Sequence, residues 1–174
     1  MLVEVVPHNS QWQTAFKLES GQIAKVLADN LIFIHHIGST AIAHIHAKPI
    51  IDILVEVKDI NLIAEQTPGM EALGYEAMGE FGLVGRRYFR KENSASVRTH
   101  HVHIYKANSP EVKRHLAFRD YMIAHPQDAE QYSLLKQELA AKYPHDIESY
   151  MDGKDEFVKT IERKAIQWQN SLRD

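Results

Sequence analysis

The 174-residue sequence contains no cysteine, so the chain can form no disulfide, no thiolate nucleophile and no cysteine-ligated zinc site. It also lacks an excess of positive charge. Its 20 lysine and arginine residues stand against 23 aspartate and glutamate residues, which gives a formal net charge of −3. Proteins that bind nucleic acid through bulk electrostatics are usually clearly basic, so this class of function is disfavoured, whereas a local basic pocket is compatible with the composition.

Long apolar segments are missing as well. The longest apolar stretches are about as long as a β-strand, and residues 1–10 include Glu4 and Pro7 without a basic stretch ahead of an apolar one. The sequence therefore predicts neither a membrane span nor a signal peptide, and a cytoplasmic protein is the expectation.

Histidine is abundant by contrast. Seven of the eleven histidines lie in two clusters, His35–His46 and His100–His103. The rest of the composition, 44% hydrophobic and 25% charged, is that of an ordinary globular protein, and the length suits one domain with a sizeable core. We predict a single domain over residues 1–174, with a sheet core over about 1–106 and a helical part over about 109–172.

Hydrophobic periodicity predicts strands in the first part of the chain and helices in the second. Residues 31–37 and 49–57 are rich in β-branched side chains and are predicted to be adjacent buried strands. Further strands are predicted over residues 2–6, 75–80, 85–91 and 98–105. Helices are predicted from Asn9 or Ser10 to about residue 29, over 59–66 and 70–73 on either side of a break at Pro68, and over about 110–124, 128–143 and 154–172. This order predicts an α+β fold in which helices pack on a mixed, largely antiparallel sheet of about five strands.

The most informative stretch is the loop that follows the apolar run at residues 31–37. Gly38, Ser39 and Thr40 end that run abruptly, and the next apolar run carries one carboxylate, Asp52. Glycine lets the backbone approach an anion closely, the two hydroxyl groups add donors, and successive backbone N–H groups can form an anion-binding concavity. The pattern predicts a phosphate-sized site with a carboxylate that could hold Mg²⁺ beside it.

The spacing between this Gly-Ser pair and the aspartate resembles the signature of the nucleotidyltransferase superfamily. The segments His-Ile-Gly-Ser-Thr-Ala and Ala-Lys-Pro-Ile-Ile-Asp-Ile resemble the GrpB family within that superfamily. The resemblance covers nearly the whole chain, with further matching segments at 73–75, 98–103, 118–121, 132–136 and 154–157. It implies a polymerase-beta-like nucleotidyltransferase fold with C-terminal helices.

The resemblance also implies site residues. Gly38, Ser39 and Thr40 would bind a nucleoside triphosphate, Asp52 and Ser39 would be catalytic, and Asp52 would hold a divalent metal, either Mg²⁺ or Mn²⁺. Two simpler interpretations stay open at this point. A serine between strands is commonly a turn residue, and Asp52 could be a strand-end carboxylate that faces solvent.

The sequence departs from the superfamily pattern at the second carboxylate. Leu54 stands where a second acidic residue is expected two positions after Asp52. Glu56 follows on the same strand face and is a candidate metal ligand together with Asp52, His101 and His103. His101 and His103 occupy the place of the third acidic position and alternate with apolar residues, which puts both on one face. A ligand set that mixes histidine and aspartate suits Zn²⁺, Mn²⁺ or Fe²⁺, whereas Mg²⁺ prefers oxygen ligands. The two histidines could equally be ordinary hydrogen-bonding strand residues.

Two cationic residues are candidates for contacts with the triphosphate. Lys48 lies at the entrance to the second strand, and Arg119 lies in the Phe-Arg-Asp-Tyr stretch. Arginine offers phosphate a two-pronged donor, while lysine acts as a point charge. Arg86, Arg87 and Lys136 have weaker claims.

Three functions fit these observations. The leading hypothesis is a nucleotidyltransferase that binds a nucleoside triphosphate with a divalent metal and transfers a nucleotidyl group to an acceptor, for which the sequence gives no identity. The second is a catalytically silent relative that binds a nucleotide or a partner protein, its second carboxylate having been lost to Leu54. The third is a metallohydrolase in which histidine and aspartate hold a metal-bound water.

Overall fold

The computed structural model describes residues 2–172, in which five helices pack on one sheet of five strands. The strands are β1 (Leu31–Ile37), β2 (Ile51–Val57), β3 (Tyr75–Ala77), β4 (Arg87–Glu92) and β5 (Arg98–Lys106). The helices are α1 (Gln11–Leu27), α2 (Ile63–Ala72), α3 (Pro110–Ala124), α4 (Pro126–Lys142) and α5 (Ile147–Ser171). The predicted α+β class, with a five-stranded sheet followed by C-terminal helices, is confirmed.

The sheet has the order β1-β2-β5-β4-β3. Only the central pair, β2 and β5, is parallel, and the other three pairs are antiparallel. The sheet is therefore mixed and largely antiparallel, as predicted. The parallel register sets Asp52 opposite His101 and Leu54 opposite His103, so that residues far apart in sequence become neighbours at the centre of the sheet.

One face of the sheet is covered by α1 and α2. The odd-numbered side chains of β2 pack there with Val102 and Ile104 of β5 and with Ile23 and Leu27 of α1. Strand alternation predicts this apolar face, because successive side chains of a strand point to opposite sides.

The opposite face meets the C-terminal helices. Leu54 packs with Ile37, Tyr105 and Val112 in a small apolar cluster beneath α3. A second cluster joins α3, α4 and α5 to the loop between β1 and β2. The helical half of the chain thus closes over the face that carries the even-numbered residues of β2.

Residues 2–6 do not form a strand of the sheet, contrary to the prediction. Val6 makes a single bridge to Ala47, and the backbone N–H of Val3 donates to the carbonyl of Pro144 at 2.8 Å. Pro7 has no N–H with which to extend a strand ladder. The segment lies instead against the loop before β2 and the connection between α4 and α5.

The two strands around the Gly-Ser loop are adjacent, as predicted, but only β2 is buried. β1 is an edge strand, and Ile32 and Phe33 are exposed. An edge strand has a neighbour on one side only, so an apolar run by itself does not distinguish it from a central strand.

Two helix boundaries also differ from the prediction. Helix α2 continues through Pro68, because Met70 beyond it is fully buried in the core below α1. Helix α5 begins at Ile147 instead of at about residue 154. The carboxylate of Asp146 accepts a hydrogen bond from the N–H of Ser149 at 3.1 Å and so caps the first turn of this helix.

Across residues 2–172, none of the helices has both the length and the apolar character needed to cross a membrane.

Candidate functional site

The loop after β1 places a glycine directly against the carboxylate of Asp52. Gly38 has φ +73° and ψ −174°, a backbone conformation that is essentially restricted to glycine. A Cβ atom at this position would lie 2.7 Å from Oδ2 of Asp52. Ser39 then begins a single turn, closed by a hydrogen bond from the N–H of Ala41 to the carbonyl of Gly38 at 3.1 Å. The chain therefore brings its backbone and Asp52 together at one end of the sheet.

Asp52 lies between two histidines of β5. Its Oδ1 atom is 3.2 Å from Nδ1 of His101 and 3.5 Å from Nε2 of His103. The parallel pairing of β2 with β5 brings these three side chains to one face, as strand alternation predicts. The side chain of Asp52 is still 27% exposed, so it remains accessible to a ligand.

Each histidine also contacts an arginine on its other ring nitrogen. Nη1 of Arg98 lies 3.5 Å from Nε2 of His101, and Nη1 of Arg86 lies 3.4 Å from Nδ1 of His103. A guanidinium group can only donate hydrogen bonds, so the nitrogens that face the arginines accept and the nitrogens that face Asp52 carry the protons. Asp52 thus accepts a hydrogen bond from His101 at 3.2 Å, and the N–H of His103 faces the same oxygen at 3.5 Å.

This arrangement keeps Asp52 ionised. Burial by itself raises the pKa of Asp52, but the hydrogen bonds from His101 and His103, and their charge when protonated, hold it well below the ordinary value. A carboxylate that stays negative at neutral pH is suited to holding a cation close to a phosphate group.

The four predicted metal ligands do not assemble into one site. Within residues 2–172, no three histidine, aspartate or glutamate side chains are arranged to hold a metal ion. Glu56 lies about 13 Å along the strand from Asp52 at the usual rise per residue. Its carboxylate contacts Nε2 of His35 at 2.7 Å and accepts from the N–H of Asn108 at 3.3 Å. The ring nitrogens of His101 and His103 that face Asp52 carry protons, so as they stand they cannot serve as ligands.

A cavity of about 360 Å³ opens between the sheet, the Gly38 loop and the C-terminal helices. This volume lies within the range of ordinary small-molecule sites. We call it the central cavity. The loop and the sheet contribute Gly38, Ser39, Thr40, Lys48, Asp52, His101 and His103, and the helices contribute Arg114, His115, Phe118, Tyr132, Lys136, Met151, Lys154, Val158 and Glu162.

Three lysines line this cavity, and one of them is buried. Lys136 is only 2% exposed, and its Nζ atom has no hydrogen-bond partner among the residues that the structure describes. It lies 4.4 Å from the centre of the Tyr132 ring. Lys154 lies 3.4 Å from the hydroxyl of the same tyrosine, and Lys48 lies 5.4 Å from the centre of the Tyr150 ring.

Burial and mutual repulsion destabilise the charged forms of two of these lysines. Burial lowers the pKa of Lys136 to about 7, and the charges of Lys154 and Lys48 act in the same direction. Burial and the charge of Lys154 lower the pKa of Lys48 to about 8, although Asp52 partly offsets them. An anion in the cavity would relieve this repulsion and restore the ordinary protonation of both side chains.

Comparison with known proteins places the chain in a family. The family model described as GrpB protein matches residues 2–164. The chain belongs to the GrpB family.

GrpB relatives from several bacteria match over nearly all of the chain. The UPF0157 protein YqkA of Bacillus subtilis is 46% identical over 166 residues, which cover 95% of this chain and 48% of that protein. The chain therefore spans about half the length of this relative. The glutamate-rich protein GrpB of Alkalihalophilus pseudofirmus is 33% identical, with 91% of this chain and 93% of that protein covered. The crystal structure of the conserved protein GrpB from Enterococcus faecalis superimposes with a TM-score of 0.91 at 43% identity, covering 95% of this chain and 99% of that chain.

In this GrpB chain the predicted nucleotide-binding residues are only partly brought together. Gly38, Ser39 and Lys48 line the central cavity. Thr40 lines it too, but its side chain is buried and its hydroxyl is engaged with the carbonyl of Ile50 at 3.2 Å and with a histidine ring. Arg119 lies outside the residues that line the cavity. Its guanidinium pairs with Asp120 at 2.9 Å and donates to the carbonyl of His36.

The sequence analysis missed several residues of the cavity or gave them too little weight. Lys136 lies on the buried side of α4 with Tyr132, Ser133 and Leu139, and a lysine within such a stripe at helical spacing is the signal that could have found it. His115 of α3 lies 5.7 Å from His103, ring centre to ring centre, and burial lowers its pKa to about 3, with Arg114 adding to the shift. Nothing in the local sequence around His115 indicates this position.

Proposed function

We propose that this GrpB protein binds a nucleoside triphosphate in the central cavity and transfers its nucleotidyl group to an acceptor. The observation that carries the proposal is the buried ammonium group of Lys136. A buried charge without a partner is costly, and proteins normally pair it or neutralise it. Lys136, Lys48 and Lys154 converge on one cavity, so a polyanionic ligand would supply the missing partner.

The opposite end of the cavity favours a ligand with a chain of phosphate groups over a single small anion. The Gly38 loop brings backbone and the hydroxyl of Ser39 to the cavity wall, and Asp52 lies beside them. A chain of phosphate groups can extend from the loop to the lysines of the helical half. The terminal phosphates would meet the lysines, and the reacting phosphate would lie near Asp52.

The divalent metal predicted from the sequence is consistent with a single carboxylate. Mg²⁺ is commonly held by one or two carboxylates together with the phosphates of the substrate, and so needs no cage of protein ligands. Asp52 would be its protein ligand, and the ion would supply neutralisation of phosphate charge when bound. The proposal does not require His101, His103 or Glu56 as ligands.

In the proposed reaction an oxygen atom of the acceptor forms a bond to the α-phosphorus. The bond from that phosphorus to the oxygen bridging to the β-phosphate breaks, and pyrophosphate leaves with the electron pair. The chain contributes by holding the reacting groups in line and by placing positive charge where the leaving pyrophosphate develops negative charge. Lys136 and Lys154 of the helical half would provide that charge.

A thermal-shift experiment tests binding. ATP, GTP, CTP and UTP are each added with Mg²⁺ or Mn²⁺, and a ligand present at a hundred times its Kd stabilises the fold by about 2.7 kcal/mol. We expect at least one combination to raise the melting temperature of the wild type and of Lys142→Met, an exposed lysine of the same helix. The shift should be lost in Lys136→Met. If no combination shifts the wild type, the proposed function is wrong.

One observation favours a second function, that of a relative that binds nucleotide without transferring it. Leu54, at the position of the second carboxylate, is fully buried in the apolar cluster under α3. Incubation with α-labelled nucleotide and a cell extract distinguishes the two functions. Transfer of label by the wild type but not by Asp52→Asn supports the transferase, and a thermal shift without any transfer supports the silent binder.

A further inference from the structure

A second cavity, of about 540 Å³, lies on the other side of Lys48. Its walls are the segment 2–4, the turn 96–98, the entrance to β2 and Ile147 of α5. We call it the outer cavity. It shares Lys48, Ile50 and His101 with the central cavity, so these residues form part of the wall of both cavities, and we call this shared wall the junction.

Cationic and apolar side chains both line the outer cavity, together with the polar Glu4 and Ser96. Lys48, His101 and Arg98 lie at or next to the junction with the central cavity, since Arg98 contacts the ring of His101 at 3.5 Å. Leu2, Val3, Val97 and Ile147 line the remainder, together with Glu4. A ligand that fits this pattern has a negatively charged head at the junction and an apolar tail that points away from it.

Arg98 brings a guanidinium group to the wall of the outer cavity, next to His101. Its Nη2 atom donates to Glu92 at 3.2 Å, but Nε is buried and has no hydrogen-bond partner within residues 2–172. A carboxylate or phosphate accepts hydrogen bonds from a guanidinium in pairs, which makes arginine a preferred partner for these groups. Lys48 adds a second positive charge at the same junction.

We propose that the outer cavity binds the acceptor of the transfer reaction, and that the acceptor is an amphiphilic anion, either a carboxylate or a phosphate monoester with an apolar tail. This inference rests on the proposed function, because the central cavity must hold the nucleotide. One anionic oxygen of the head group forms the bond to the α-phosphorus while the bond to the bridging oxygen of the β-phosphate breaks. Pyrophosphate leaves with the electron pair.

Such an acceptor makes the chemistry of the site consistent. An acceptor with an alcohol group would have to lose a proton to a base as it attacks the phosphorus. An oxygen that is already anionic has no proton to lose. The products are a mixed anhydride of the acceptor and a nucleoside monophosphate, plus pyrophosphate.

The test measures binding first, without nucleotide. Octanoate and hexyl phosphate are the two anionic probes, and octan-1-ol is the neutral control. Binding is measured by ligand-observed NMR on the wild type, on Val97→Trp, which fills the cavity from an exposed turn, and on Arg98→Gln. Val84→Trp, at a residue that is 93% exposed and outside the residues lining either cavity, is the matched control.

We expect at least one anionic probe to bind the wild type and Val84→Trp with equal affinity, and at least tenfold more weakly to Val97→Trp and Arg98→Gln. The probe that binds more tightly tells a carboxylate acceptor from a phosphate acceptor. The inference is wrong if neither probe binds, if octan-1-ol binds as tightly as the anions, or if Val97→Trp leaves binding unchanged.

A second measurement separates this inference from the proposed function. The nucleotide thermal shift should be the same in Val97→Trp and wild type, and label from α-labelled nucleotide should pass to the bound probe only in the wild type and in Val84→Trp. A nucleotide shift without probe binding overturns the acceptor site alone. Probe binding without any nucleotide shift overturns the proposed function, and the acceptor role fails with it.

Discussion

Gly38 and Asp52 are so close that no side chain fits between them. A Cβ on residue 38 would lie 2.7 Å from one carboxylate oxygen and 3.1 Å from Cβ of Asp52. The contact joins the end of β1 to the second position of β2, and it sets where the carboxylate lies relative to the loop backbone. Gly38 thus has two roles, because it allows the backbone to turn and it leaves room for the carboxylate of Asp52.

Gly38→Ala is therefore expected to damage both stability and nucleotide binding. The left-handed backbone conformation alone costs about 1–3 kcal/mol for a residue with a side chain, and the new methyl group must displace Asp52 in addition. Gly79→Ala is the matched control, because Gly79 also has a positive φ (+61°) but a Cβ there meets no other heavy atom of the described chain within 4 Å. Chemical denaturation and nucleotide thermal shifts would measure the difference. Equal losses in both variants would contradict a specific role for the Gly38–Asp52 contact.

Asp52→Asn tests the pair of hydrogen bonds from His101 and His103. Since the folded state lowers the pKa of Asp52, the unfolded state takes up a proton first as the pH falls, so ionised Asp52 stabilises the fold above its ordinary pKa of 3.8 and loses this effect at lower pH. We expect Asp52→Asn to be less stable than wild type by about 1–3 kcal/mol at pH 7, the size of hydrogen bonds to a charged group. The difference should shrink below about pH 4.

Urea denaturation from pH 3 to pH 8 measures this difference. Asp155→Asn, at a side chain that is 58% exposed on α5, is the control and should follow the wild type at every pH. A constant difference between Asp52→Asn and the wild type over the whole range would argue against the lowered pKa.

Lys136→Met should change how the free energy of unfolding depends on pH in the alkaline range, between about pH 7 and about pH 10.5. The pKa of Lys136 is lowered to about 7 from an ordinary value of 10.5, so between these values the unfolded state binds more protons than the folded state. The stability of the wild type therefore rises with pH from about 7 to about 10.5, and part of this rise should vanish in Lys136→Met. Lys142→Met should retain it. Denaturation midpoints at pH 7 and pH 9 are the measurement, and parallel profiles for both variants would contradict the burial of an uncompensated charge.

Nucleotide binding should be accompanied by proton uptake at pH 8. At that pH most of the Lys136 side chains and about half of the Lys48 side chains are neutral in the free protein, given pKa values of about 7 and about 8. Phosphate groups in the cavity favour the ammonium forms and raise both values. Calorimetric titrations in HEPES and in Tris buffer should differ, because the two buffers release protons with different heats. The difference should be smaller in Lys48→Met, and identical heats in both buffers would count against a phosphate site at these lysines.

Leu54→Asp is expected to destabilise the fold instead of restoring a second metal ligand. The residue is fully buried among Ile37, Tyr105 and Val112, and a carboxylate there loses its hydration without a positive partner in that cluster. We expect a loss of several kcal/mol. Leu54→Met, which keeps the volume and the apolar character, should cost less than about 1.5 kcal/mol. A folded Leu54→Asp variant with increased transfer activity would show that the position does belong to the site.

The sequence predicted most elements of the fold correctly because each rests on a local pattern. The alternation in β2 places Asp52, Leu54 and Glu56 on the face opposite the main core. The same alternation in β5 places His101 and His103 on one face. The same alternation does not say which even-numbered positions a helix covers. Leu54 and Asp52 share a face, yet α3 buries the first, and the second opens into a cavity.

The candidate site was predicted only in part, for the same reason. Glu56 has the right chemistry, but His35, which only the fold brings next to it, takes up its carboxylate. Arg119 pairs with the next residue in the sequence, Asp120, and only the fold places it away from the cavity. Nothing in the sequence distinguishes Lys136 from any other lysine. Only the packing of α4 and α5 over the sheet buries its side chain and leaves Nζ without a hydrogen-bond partner among residues 2–172.

The sequence by itself determined the Gly-Ser turn, the strand faces and the helical second half, because steric limits and side-chain periodicity act over a few residues. Its segments also resemble the GrpB family, and the family model confirms that membership. Tertiary structure decided which charged groups meet. The parallel pairing of β2 with β5 joined Asp52 to His101 and His103, and the closure of the C-terminal helices brought three lysines to one cavity. The ionisation of a side chain depends on solvent exclusion and on charges within a few ångströms, and in this chain those charges come from segments that are distant in the sequence.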